Sequence, residues 1–407
     1  MFQIVKGHVN SPKGFWAGGM HAGIKKKKKD LAMIYSVAPA TLAGVFTTNQ
    51  VKAAPVLWNQ EILKGGKSVK AIVINSGNAN ACTGVQGKKD NEEMASVMAE
   101  KMNCDPSEVL VASTGIIGLN LPMDVVKMGI ETLSEKLTSK SLCGKNAAES
   151  IMTTDTFSKE VCVEVVIDGE TVTIAGMAKG SGMIHPNMAT MLSFVTTDAN
   201  IDKEVLQEML KSTNEDTYNM ISVDGDTSTN DMVIVLANGE AKNQLITANH
   251  PEYHQFKEAF LYVHQTLAKL IVKDGEGASK LIEVTVSGAE DIKGAKKIVK
   301  SVLTSSLVKT AFFGEDANWG RILCAAGYSG VSFDPMQVNL SLSSEKGQME
   351  LLNAGEPVAF SEEKASDILS EREIYVHLMI GEGSYKAVGW GCDLSYEYVK
   401  INGAYRT

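Results

Sequence analysis

The sequence predicts a mixed α/β fold, and three observations carry that expectation. Short apolar runs of roughly four to eight residues, bounded by glycine and charge, recur along the whole chain and read as strands. Segments with apolar residues at helical spacing, such as Met94, Val97, Met98 and Met102, interleave with them. Several strands follow one another through tight turns, so the sheets are mixed, flanked by helices, and the class is α/β or α+β.

In chain order, residues 14–51 alternate short apolar runs with glycine and charge, with strands over 31–37 and 42–48, and predict a hairpin-rich sheet. The five lysines Lys25, Lys26, Lys27, Lys28 and Lys29 end at Asp30 just before an apolar run, the pattern of a solvated hairpin tip. A buried strand over 71–75 runs into 76–84, which is too rich in Asn and Gly for a regular element. That segment reads equally as a capping loop and as a loop lining a site. Residues 90–102 form an amphipathic helix with acidic residues in its first turn. A strand over 109–112 delivers the loop 113–118, Ser-Thr-Gly-Ile-Ile-Gly, where backbone amides face a developing negative charge or the chain simply turns. Helices over 122–137 and 144–152 lead to the polar cluster Thr153, Thr154, Asp155 and Thr156. A hairpin over 159–167 and 170–175 then closes through Asp168-Gly169.

The second strand of that hairpin runs directly into 179–192, Lys-Gly-Ser-Gly-Met-Ile-His-Pro-Asn-Met-Ala-Thr-Met-Leu. Its glycine-rich, proline-containing approach makes no regular element, whereas an apolar run begins at Met191, so Thr190 stands where a loop enters a core. A β-branched residue there starts a strand by ordinary preference. The alternative is a nucleophile: a Thr hydroxyl is weak at its free pKa and needs a base, which its own α-amino group supplies once the bond after Ala189 is cut. That amine has an ordinary pKa of about 7.7 to 8.0, close to working pH.

Beyond it lie a helix over 203–212 and a strand closing the segment 222–236. The run 224–231 resembles a calcium loop in composition but lacks the spacing that ends in a bidentate Glu, so a metal reading is rejected. A long amphipathic helix over 251–272 ends at Lys273-Asp274-Gly275-Glu276-Gly277. A Glu between two glycines serves a cleft and a plain turn equally well. Strands follow over 280–287, 307–313, 338–342, 373–380 and 385–390, with helices over 292–303 and 362–370 and one reaching Ala326.

Composition bounds the function. The chain has 407 residues, 44% hydrophobic and 21% charged, close to soluble domains at roughly 45–50% and 25%. A net charge of −9 argues against a nucleic-acid partner, which demands excess Lys and Arg. Six scattered cysteines without a Cys-x-x-Cys pair are the usage of a reducing compartment. With no secretory signal pattern and no membrane-length apolar run, a cytoplasmic protein without a membrane partner is expected.

Gly14-Phe, Asn75-Ser-Gly-Asn-Ala-Asn-Ala, Ser113-Thr-Gly, Thr153-Thr-Asp-Thr, the 179–190 stretch, Lys273-Asp-Gly-Glu-Gly, Phe313-Gly-Glu-Asp-Ala-Asn-Trp-Gly-Arg and Tyr405-Arg-Thr occur in that order. Together they resemble the ArgJ family, the ornithine acetyltransferases or bifunctional glutamate N-acetyltransferases of arginine biosynthesis, over essentially the whole chain. The resemblance implies the N-terminal-nucleophile fold shared with the DmpA-type aminopeptidases. It implies self-cleavage between Ala189 and Thr190 into chains 1–189 and 190–407, paired as two alpha and two beta chains. It implies Thr190 as nucleophile, Thr114 and Gly115 as oxyanion hole, and substrate contacts from Thr153, Lys179, Thr190, Glu276, Asn402 and Thr407. The substrates would be N2-acetyl-L-ornithine and L-glutamate, without cofactor or metal, with acetyl-CoA as a second candidate donor. A Thr-nucleophile aminopeptidase or amidohydrolase of the same architecture is the rival reading, and an uncleaved binding protein is the rival outside enzymes.

Overall fold

The computed structural model describes residues 1–185 and 191–404; Ala189, Thr190 and Thr407 lie outside the described residues. The first part of the chain carries β1 (Phe2–Ile4), β2 (Phe15–Met20), β3 (Leu31–Phe46), α1 (Ala54–Gly65), β4 (Val69–Asn78), α2 (Gly84–Met102) and β5 (Val109–Ile116). It continues with α3 (Met123–Ser134), α4 (Ser141–Ser150), β6 (Lys159–Ile167) and β7 (Glu170–Lys179). After the 180–191 connection come β8 (Leu192–Thr197), α5 (Lys203–Asp216), β9 (Ile221–Ser222), β10 (Met232–Ala237), α6 (Tyr253–Lys273), β11 (Leu281–Ala289), α7 (Ile292–Thr304), α8 (Ser306–Phe313) and α9 (Trp319–Gly327). The last part holds β12 (Asn339–Ser344), β13 (Gly347–Asn353), β14 (Glu356–Pro357), α10 (Glu362–Ser370), β15 (Glu373–Met379), β16 (Tyr385–Cys392) and α11 (Tyr396–Ala404).

Two mixed sheets result, as the interleaved pattern predicts. The first runs β1-β6-β7-β8-β10-β3-β4-β5 with β2 added on β3, and the second runs β14-β13-β12-β15-β11-β16-β9. Parallel pairs (β8 with β10, β4 with β5, β11 with β15) sit among antiparallel ones. Helix α6 buries Phe256, Phe260, Val263, Leu267 and Ile271, one helical face, and packs on β6 and β7 and also on β16. It therefore joins the two sheets through one continuous apolar core.

Several elements differ from the sequence expectation. Residues 31–37 and 42–48 are not two strands of a hairpin but one strand, β3, whose first half pairs with β2 and β4 and whose second half pairs with β10. Its register shifts between Tyr35 and Ala40, around Pro39, and such an irregularity accommodates a residue that cannot donate to the ladder. Residues 307–313 are helix α8, not a strand. Ser305 caps it by accepting the Val308 N–H, and Val308, Ala311 and Phe312 are buried at helical spacing, which a short apolar run satisfies as readily as strand alternation. Strands β4 and β5 run further than expected, to Asn78 and Ile116, so Ser113–Gly115 belong to the sheet. Helices α1 and α11 and strands β1, β13 and β14 had no counterpart in the sequence reading.

The lysine run is solvated only in its middle. Lys25 Nζ donates to the carbonyls of Met152 at 2.6 Å and Lys29 at 2.8 Å, while Lys29 Nζ reaches Asn146 Oδ1 at 2.5 Å and Glu149 at 2.6 Å. Buried Asp30 gathers the backbone N–H groups of Ala22, Gly23 and Lys25, folding the loop inward. Charge density in the sequence does not reveal which ammonium groups find carbonyls.

Candidate active site

A cavity of about 310 Å³ opens where the C-terminal ends of β5 and β7 meet the loop entering β10 and the turn leaving α6. Its lining includes Thr114, Gly115, Thr153, Lys179, Glu276 and Asn402, so sequence-predicted residues up to 288 positions apart along the chain meet there. A larger opening of about 1390 Å³ lies in the second sheet among residues 288–294, 330–334 and 379–383. It holds none of the sequence-predicted residues, so the smaller cavity is the candidate site.

One wall is backbone. Gly115 has φ +133°, and a Cβ there would stand 2.3 Å from the Gly77 carbonyl carbon of the adjacent strand, so only glycine fits. The pairing of β4 with β5 becomes irregular at Gly77 and Asn78, beside Thr114 and Gly115. Side-chain amides brace this edge: Ser113 Oγ donates to Asn75 Oδ1 at 2.6 Å, and Asn230 Nδ2 donates to the carbonyls of Ala79 at 2.6 Å and Ser113 at 2.8 Å.

Lys179 closes β7 and is 3% exposed. Burial pushes its ammonium below the ordinary lysine range, and the Asp155 charge opposes that fall. For Asp155 itself, burial would raise the carboxyl, but the Lys179 and Lys159 charges and its hydrogen bonds overcome burial and hold it well below the usual carboxylate range.

Glu276 enters from the turn after α6, its backbone N–H bonded to the Ser181 carbonyl at 2.8 Å. Its Oε2 accepts from Asn402 Nδ2 at 2.7 Å, which ties α11 to the site. A Cβ at Gly182 would lie 2.4 Å from the Glu276 carboxyl, so the bare glycine is what lets the carboxylate approach. Of the two readings of a Glu between glycines, the structure selects the cleft.

Four groups escaped the sequence reading. Thr154 lines the cavity and its hydroxyl pairs with Ser181 Oγ at 2.7 Å; Ser228, Thr229 and Asn230 line it from the opposite side. The run 224–231, set aside as a metal loop, thus reaches the cavity. Its Asp224 carboxylate accepts the backbone N–H groups of Met183 at 2.6 Å and Ile184 at 2.8 Å. Next to Asn230, fully buried Asp231 accepts the Met191 N–H at 3.0 Å, and its other oxygen has no hydrogen-bond partner among the described residues. Burial pushes that carboxyl well above its ordinary range, against the opposing pull of the Met191 N–H and the Lys179 charge. A local signal for these residues existed only in their density of Ser, Thr, Asn and Asp, which turns share.

Chemically, the cavity combines a backbone edge able to donate to an oxyanion, a buried cation suited to a carboxylate, and a carboxylate suited to an ammonium group. Such a set matches a zwitterionic amino acid. Among the described residues no three His, Cys, Asp or Glu side chains are grouped to hold a metal ion, and no helix is long and apolar enough to cross a membrane.

The profile of the ArgJ family matches residues 16–407. The chain is 53% identical over 405 residues to the arginine biosynthesis bifunctional protein ArgJ of Caldanaerobacter subterraneus subsp. tengcongensis, covering 100% of both chains. It is 51% identical over 397 residues to the protein of the same name from Thermotoga neapolitana, covering 97% of this chain and 99% of that one. The crystal structure of the Bacillus halodurans ArgJ protein aligns with a TM-score of 0.44 at 45% identity, over 46% of this chain and 100% of that one.

Proposed function

The chain belongs to the ArgJ family and is an acetyltransferase of arginine biosynthesis, and from that premise we propose the course of its reaction. Thr190 first attacks the Ala189 carbonyl within its own chain, and water resolves the resulting ester, leaving chains 1–189 and 190–407 associated as an assembly of two alpha and two beta chains. The freed α-amino group of Thr190 then takes the proton of its hydroxyl, which attacks the acetyl carbonyl of N2-acetyl-L-ornithine. Thr114 and Gly115 stabilise the oxyanion, an effect of about 3 to 4 kcal/mol per donor. Ornithine leaves, L-glutamate enters the same cavity, and its amine takes the acetyl group from Thr190 in a ping-pong cycle.

Lys179 pairs with the α-carboxylate that both substrates carry. Glu276, held by Asn402, pairs with the side-chain ammonium of ornithine or receives the proton of the attacking amine, while Thr153 and Thr407 complete the contacts. No cofactor takes part, and the reaction runs in the cytoplasm. The observation that supports this reading best is the convergence of Thr114, Gly115, Lys179 and Glu276 on one cavity whose rim residue Asn230 adjoins Asp231, the acceptor for Met191, the residue bonded to Thr190.

Three measurements on the purified protein test it. Denaturing electrophoresis should show two fragments of roughly half size in place of one 43.7 kDa band, and Thr190→Ala should restore the single band. Acetyl-labelled N-acetylornithine with glutamate should yield labelled N-acetylglutamate; free acetate as the main product would instead favour the hydrolase. Acetyl-CoA with glutamate decides whether the second donor is accepted.

A further inference from the structure

One buried carboxylate ties the walls of the cavity together. Asp155 is 2% exposed; its Oδ2 accepts the Thr153 N–H at 2.8 Å and the Thr153 hydroxyl at 3.5 Å. Its Oδ1 accepts the Gly180 N–H at 2.8 Å and Lys159 Nζ at 2.7 Å. Lys159, fully buried, donates again to Asp274 Oδ2 at 2.6 Å. Asp274, 5% exposed, also accepts the Thr156 N–H at 3.0 Å and the Thr156 hydroxyl.

Three arms of this network end at, or within two residues of, a proposed substrate contact. Thr153 is bonded directly, Gly180 follows Lys179, and Asp274 precedes Glu276 by two residues. The network also crosses the proposed cleavage point, with Asp155 and Lys159 before Thr190 and Asp274 after it. Buried ion triads are often no more stabilising than well-packed apolar side chains of the same size, so stability alone does not account for this placement.

We infer that Asp155 is a positioning residue of acetyl transfer, fixing the spacing between the Lys179 cation and the Glu276 carboxylate that a zwitterionic amino acid has to match. The inference rests on the proposed substrate contacts of Thr153, Lys179 and Glu276. Electrostatics agree with the geometry. The acidic groups facing Lys179 are Asp155, Asp231 and Glu276, and the cations are Lys159 and Lys25. Among these acidic groups the Asp155 charge does most to oppose the fall that burial imposes on Lys179.

The test is the pH profile of kcat/KM for acetyl transfer, measured on wild type, Asp155→Asn and Lys159→Met, with a melting curve for each. Asp155→Asn should raise KM for both substrates about tenfold or more while kcat changes less, and should move the alkaline limb to lower pH by about one unit. Lys159→Met removes a cation that opposes Lys179 and should move the same limb to higher pH. A role in stability alone would lower the melting temperature and leave both limbs in place. Either variant, folded and active with the wild-type limb and KM, overturns the inference, and if one fails to fold the other decides. Absence of transfer by wild type would instead refute the proposed reaction.

Discussion

Adding one methyl group at Gly182 should disable the site without unfolding the protein. The new Cβ would stand 2.4 Å from the Glu276 carboxyl carbon and Oε2, whereas ordinary van der Waals contact begins at 3.4 Å. The carboxylate therefore has to retreat by about 1 Å, and because the obstacle is the end of a flexible side chain, the cost in stability stays near about 1 kcal/mol. The same retreat stretches the 2.7 Å bond from Asn402 to about 3.7 Å, outside hydrogen-bond range. A misplacement of about 1 Å at a substrate-orienting group costs on the order of 10²-fold in rate, or about 2.7 kcal/mol of transition-state stabilisation. Steady-state acetyl transfer from N-acetylornithine to glutamate, read beside the melting temperature, measures both quantities. Gly327→Ala in α9, where nothing stands within 4 Å of the added Cβ, is the control and should retain full activity. If Gly182→Ala keeps kcat/KM within about threefold of wild type, Glu276 is not a substrate contact and the assignment of that carboxylate fails.

Two further outcomes follow from single residues. Gly115→Ala places a Cβ 2.3 Å from backbone rather than from a movable side chain, at φ +133°, so kcat should fall about 10² to 10³-fold as the oxyanion edge shifts; a kcat near wild type in a folded variant would exclude Gly115 from that role. His264 is fully buried against Phe260 and Tyr218 with neither ring nitrogen hydrogen-bonded among the described residues, and burial pushes its imidazole down to about 3. Its folded pKa lies below the unfolded value, so its contribution is fully present above about pH 6.5 and is lost at up to about 1.4 kcal/mol per pH unit as pH falls toward 3. Urea titrations at pH 7 and pH 4 should show a smaller loss in His264→Phe than in wild type, and equal losses would contradict the assignment.

Local pattern carried much of the fold. The Asp168-Gly169 turn joins β6 to β7, both its residues at positive φ, and the helices over 292–303 and 362–370 appear as α7 and α10 with at most one residue's difference. Elements failed to be legible where the deciding partner was remote. The run 307–313 fits either period until Ser305 caps it, and β3 reads as two strands until β2, β4 and β10 divide its length between them.

By itself the sequence determined the class, the strand that begins just beyond Met191, and which residues resemble a family's working set, because periodicity, turn chemistry and motif order are written along the chain. Only the tertiary structure decided that Asp155 bonds both Thr153 and Gly180, that Lys25 reaches the Met152 carbonyl, that Glu276 needs a bare Gly182, and that Asn230 braces Ser113. Each of these depends on which strand ends and turns are brought together, and a hydrogen bond or a steric limit acts over a few ångströms of space, whatever the separation along the chain.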